Sequence, residues 1–193
     1  MDIFKQVNWI DIFSVIILFR IGYIAIKNGF SAELFKLPGT VLSVYLALHY
    51  YIALSSFLAA RIGLKGVVSG ELLNFVSFLF LAISGYLLFV LLRVIFYRFI
   101  KMDAAVKLDK WGGFILGLAR AFLLVSFILF IFVLSGISYF KTSIDKSYSA
   151  KTLLSISPNV YSMLWNDVVS KFRSSDEKFN DTALSFSESI GQK

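Results

Sequence analysis

Apolar residues run along this chain in four long blocks, each closed by a short polar connection. The first opens at Asn8-Trp9-Ile10-Asp11 and runs to Ile26 before Lys27-Asn28-Gly29; the second runs from Pro38 to Leu58. The third, Leu72 to Leu92, is the cleanest, and Val94 to Tyr97 extend it through the headgroups. The fourth follows Trp111. Each block is close to the ~20 residues with which a helix, rising ~1.5 Å per residue, crosses the hydrocarbon core. The pattern predicts an all-α polytopic membrane protein. Its transmembrane domain occupies residues 1–140, with four spans at about 8–27, 38–58, 72–97 and 112–138. The first block is too long for a cleaved signal peptide and no small-x-small site closes it.

The connections carry further structure. Phe30, Leu34 and Leu37 fall on one face with Glu33 and Lys36 off it, which predicts a short interfacial helix, with Pro38 in the first turn of the next span. After Phe140 the composition turns to Lys, Ser, Asp and Asn, read as a linker over 141–157. From Ser157-Pro158, an N-cap followed by proline, apolar residues return every four positions. Val160, Leu164, Trp165, Val168 and Phe172 predict an amphipathic helix over 158–173, lying on the membrane or docking on the bundle. Residues 174–193 are polar and are expected to be disordered.

Composition sharpens the assignment. The 193 residues are 58% hydrophobic and 16% charged, against roughly 45–50% and about 25% in soluble domains. With no cysteine and one histidine, thiolate chemistry and His-rich metal sites are excluded, and no metal or cofactor is expected. A net charge of +7 raises nucleic acid as a partner, but the cations flank the apolar blocks, where membrane topology accounts for them. The partners expected are the bilayer and either further copies of the chain or other envelope and export membrane proteins. Lys27, Lys36, Arg98, Lys101, Lys107 and Lys110 favour connections one and three in the cytoplasm, with both termini outside.

Small residues recur at helix-packing spacing, Gly39, Ser43 and Ala47 in the second span and Gly113, Gly117 and Ala121 in the fourth. Ionisable residues within the spans are the functional candidates: Asp11, Arg20, Glu33, His49, Asp109 and Arg120. Arg20 lies ~16 Å from Trp9 and either snorkels or pairs. Arg120 either anchors its helix at the headgroups or pairs with Asp109 or Glu33, fixing the first connection against the third. The fourth span has two registers: a crossing from Trp111 to Leu134, or a crossing from Ala121 to Phe140 with Gly112 to Ala119 re-entrant. His49 is expected to be hydrogen-bonded in the aromatic belt rather than a proton relay.

In order and spacing these residues resemble the colicin V production protein family of bacterial inner-membrane proteins. The resemblance rests on Asn8-Trp9-Ile10-Asp11, on Gly29-Phe30, Glu33-Leu34, Leu37 and Gly39, and on Leu108-Asp109 followed by Gly113, Gly117 and Arg120. Where the family tends to have G-x-x-R-G, Ala121 stands after the arginine, and Pro38 precedes Gly39. The resemblance implies four transmembrane helices, no enzymatic activity, and an accessory or scaffold role in toxin or protein export or in envelope homeostasis. Two other functions stay open: a homo-oligomeric channel or transporter lined by the intramembrane charges, and, remotely, an intramembrane hydrolase using Ser135 and His49.

Overall fold

The computed structural model describes residues 8–61, 68–99, 106–172, 179–182 and 185. Among these residues helix is the regular structure, joined by short turns, with no strand. In lipid every backbone N–H and C=O must be paired within the segment, and a helix is the element that does so along a single apolar run. Three helices are long and apolar enough to cross a membrane: α1 (Trp9–Arg61), α2 (Gly70–Phe99) and α3 (Val106–Leu134). Four short elements follow: α4 (Ser138–Asp145), α5 (Ala150–Leu154), α6 (Ile156–Leu164) and, after a π-helical turn at Trp165–Val169, α7 (Ser170–Phe172).

α1 is two helices in one ribbon, broken where Gly29 takes φ 79° and ψ 172°. Its arms, residues 9–28 and 30–61, both lie along α3. Trp9 packs against Phe132 and Gly22 against Phe114, so the first arm runs antiparallel to α3. Glu33 meets Arg120, and Tyr51 packs on Phe78, which in turn packs on Phe127 and Phe130, so the second arm runs back alongside it. Gly29 is therefore the apex of a helical hairpin clasping α3. Half of the apolar window of α3 is buried, against 22% in each of the other two helices, which makes α3 the central element.

α2 packs antiparallel on the second arm through small residues. A Cβ on Gly39 would come within 2.9 Å of Phe89 Cβ, and one on Gly85 within 2.9 Å of Ser43 Cα, while Ala47 is fully buried. On α3, a Cβ on Gly113 would meet the Gly29 carbonyl carbon at 2.7 Å, and one on Gly117 would overlap Ala25 Cβ. Ala121 continues that stripe and is completely buried. Close backbone approach at both seams is what the small residues permit.

Several predicted boundaries need correction. Residues 30–37 are not a separate interfacial helix: the second arm is continuous from Phe30, and Pro38 lies exposed inside it. Proline in a helix interior costs about 3 kcal/mol, and the contacts of Phe30 and Glu33 to α3 hold the helix N-terminal to it. α3 begins before Trp111, passes unbroken through Gly112 to Ala119 and stops at Leu134 rather than 138. The re-entrant register is thereby overturned. Gly136, at φ 72°, supplies the left-handed turn that ends the element. Residues 141–157 are not a plain linker but hold the end of α4, all of α5 and the start of α6. Ser155, not Ser157, stands at the N-cap of α6, because Ser157 is drawn inward: its N–H donates to Ser126 Oγ at 2.8 Å. The helix expected over 158–173 runs from Ile156 to Phe172, passing through a π-helical turn at Trp165–Val169. Tyr161 and Trp165 are buried and Val160 and Leu164 half-buried, whereas Val168 and Phe172 are exposed. Most of the expected disordered tail lies outside the described residues, but Phe179 stacks on Tyr161 at 5.1 Å.

Candidate functional site

The hairpin apex begins with a backbone only glycine adopts. With φ 79° and ψ 172°, Gly29 occupies a region closed to side chains, and a Cβ there would overlap Asp109, coming within 2.6 Å of its Cγ. That vacancy lets the Asp109 carboxylate reach the chain, where its Oδ1 accepts the Phe30 N–H at 2.8 Å. The first N–H groups of a helix have no partner within it and form its positive end. Asp109, from α3, therefore caps the second arm of α1 across 79 residues of sequence.

One turn on, Glu33 is fully buried and Arg120 is 8% exposed. Arg120 Nε donates to Glu33 Oε2 at 2.8 Å. The other oxygen, Oε1, accepts from Lys36 Nζ at 2.8 Å and Asn28 Nδ2 at 3.1 Å. One carboxylate thus ties both sides of the hairpin and the central helix into a single network. Of the two acids open to Arg120 by sequence, Glu33 takes the arginine and Asp109 takes the backbone. Buried charge is tolerated only when paired and hydrogen-bonded in this way.

A second cluster closes the opposite end. Asp11 Oδ2 accepts the Asn8 N–H at 2.9 Å, the reciprocal half of a helix N-terminal box. Its Oδ1 accepts from Ser147 Oγ at 2.6 Å and from Ser149 through both N–H, at 2.9 Å, and Oγ, at 2.6 Å. Trp9 Nε1 donates to Ser143 Oγ at 3.0 Å. The start of α1 is thereby fastened to α4 and to the turn before α5. An open cavity of about 920 Å³ lies beside this junction, lined by Trp9, Tyr139, Lys146 and Lys151 among others.

His49 is 2.9 Å from the Tyr161 hydroxyl through Nδ1 and stacks on Trp165 at 5.1 Å. Burial pushes the Tyr161 hydroxyl up to about 12, so it stays protonated, and it accepts the Asn180 N–H at 3.0 Å. Asn180 Nδ2 also donates to the Leu48 carbonyl at 2.7 Å. Arg20 is exposed on the outer side of the first arm and joins neither cluster. Among the described residues no three His, Cys, Asp or Glu side chains gather as a metal site would need.

Ser147, Ser149, Asn28 and Lys36 complete the two clusters and escaped the sequence analysis. Serines are common in any polar connection, and only the fold shows which hydroxyls converge on Asp11. For Lys36 the three-residue spacing from Glu33 was a usable signal.

A family model described as Colicin V production protein matches residues 10–158. The chain belongs to the colicin V production protein family. No curated protein and no solved structure matches it. In this family member the matched span holds Asp11, Glu33, Asp109 and Arg120 and both small-residue seams. It stops at Pro158, so Tyr161, Trp165 and Asn180 lie beyond it.

Proposed function

We propose that this colicin V production family member is a non-enzymatic scaffold of the bacterial inner membrane, an accessory in toxin or protein export or in envelope homeostasis. In this reading the two arms of α1, then α2 and α3, make four crossings. The Lys-rich Gly29 end faces the cytoplasm, and both termini and α4 to α7 lie on the outer side. The observation that carries the proposal is how the intramembrane charges are used. Glu33, Lys36 and Arg120 are joined to one another, and Asp109 and Asp11 are spent on backbone and hydroxyl donors. Charges consumed in internal ties hold a shape, whereas a conduction path needs polar groups left to face the permeant species.

A second reading, a homo-oligomeric channel or transporter, draws support from Arg20, an exposed cation flanked by the exposed Phe19 and Tyr23. Several copies could enclose that face as a lining. The hydrolase reading has less behind it: Ser135 donates to the Phe132 carbonyl at 2.7 Å and His49 is engaged by Tyr161. Flux and single-channel recording of the purified protein in liposomes, with its oligomer mass in the same detergent, separates the first two. The scaffold predicts silent bilayers. Reproducible conductance that changes in Arg20→Gln overturns it in favour of the channel.

A further inference from the structure

Two apolar grooves lie side by side between the first arm of α1 and α3 at the Gly29 end. One, of about 420 Å³, runs between Phe19, Gly22 and Tyr23 on one wall and Phe114 and Leu118 on the other. The second, of about 430 Å³, is lined by Trp111 and Lys110, and both are bounded by Ile26 and Phe114. Gly22 creates the hollow: it is buried, and a Cβ there would meet only Phe114, at 3.6 Å.

Cations stand around this hollow. Lys110 lines the second groove, and Lys27 Nζ lies 4.6 Å from the centre of the Tyr23 ring that walls the first. Arg20 is one helical turn before Tyr23 on the same arm and is exposed, as are Lys27 and Lys110. Among the described residues the acids of this end are engaged elsewhere, Glu33 by Lys36 and Arg120, and Asp109 by the Phe30 N–H. Among the described residues Lys27, Lys110 and Arg20 join no ion pair.

We infer that this hollow seats an anionic phospholipid, its acyl chains along Gly22 and Phe114 and its phosphate between Lys27 and Lys110. Apolar walls alone would accept any lipid. The selecting feature is a pair of basic side chains at the mouth that join no carboxylate among the described residues. The site goes beyond the scaffold reading and would stand or fall without it.

The test is native mass spectrometry of the full chain offered equal phosphatidylglycerol and phosphatidylcholine with identical acyl chains. Wild type is expected to retain phosphatidylglycerol preferentially. Lys27→Gln with Lys110→Gln should reduce that preference by about fivefold per lysine. Lys141→Gln with Lys146→Gln, at the other end of the molecule, should leave it unchanged. Gly22→Leu fills the hollow and should lower retention of both lipids at unchanged melting temperature. Equal retention of the two lipids by wild type overturns the inference, as does an equal loss in the Lys141/Lys146 pair, which would mean attraction to basic surface only. Undiminished retention in a folded Gly22→Leu protein overturns the acyl seat. If that variant fails to fold, the two lysine pairs decide between the outcomes.

Discussion

Arg120 is the residue on which the apex depends most directly. Truncating it to alanine takes the Arg120 donor away from Glu33 Oε2 inside a fully buried side chain. Breaking a buried pair costs about 3–5 kcal/mol. The lower end applies here, because Lys36 and Asn28 still hold Oε1. Arg120→Lys should lose less, since the contact is a single bond from Nε rather than a two-pronged fork. The expected order of melting temperature in detergent is wild type, then Lys, then Ala. Identical melting of Ala and wild type would reduce the arginine to a headgroup anchor.

At the scale of elements, the hairpin in α1 depends on Gly29 having no side chain. Gly29→Ala should be among the most damaging small substitutions in the chain. The backbone conformation alone costs about 1–3 kcal/mol for a non-glycine residue, and the added Cβ must expel Asp109 and uncap Phe30 as well. Asp109→Ala, across the contact on α3, removes the clash but also the cap, worth about 0.5–2 kcal/mol. The Gly29→Ala/Asp109→Ala double variant is therefore expected to lose less than the sum of the two single losses. Strict additivity, measured by thermal melting, would show that the two residues do not act on one another. Contrast Gly22, where a Cβ meets only ordinary van der Waals contact and alanine should be tolerated.

For the whole molecule, the two clusters divide the labour. The apex network locks α1 onto α3, and the Asp11 cluster fastens the start of the first arm to α4 and to the turn before α5. Under the proposed topology these clusters lie at opposite faces of the membrane. Because the chain has no cysteine, single introduced cysteines report sidedness without a background. In intact spheroplasts an impermeant maleimide should label Lys146→Cys and spare Lys110→Cys, both positions being exposed. Labelling of Lys110→Cys alone would reverse the orientation.

The four apolar blocks, the two small-residue seams and the candidate charges could be read from the residues, because burial in lipid demands long apolar runs and close backbone packing demands glycine, serine or alanine at a fixed spacing. Family membership was legible for a similar reason, since Asn8 to Asp11, Glu33 and the Gly113, Gly117, Arg120 run sit in local order. Pairing was not. Whether Arg120 would meet Glu33 or Asp109, and which serines would close on Asp11, depends on contacts 79 to 138 residues apart. The continuous second arm through Pro38 and the folding of 141–157 into helices belong to the same class. In each case a tertiary contact outweighs a local preference of comparable size, and local sequence carries no information about that contact. By itself the chain determined which segments are long and apolar enough to cross a membrane and where they can touch; only the tertiary structure decided which charge answers which.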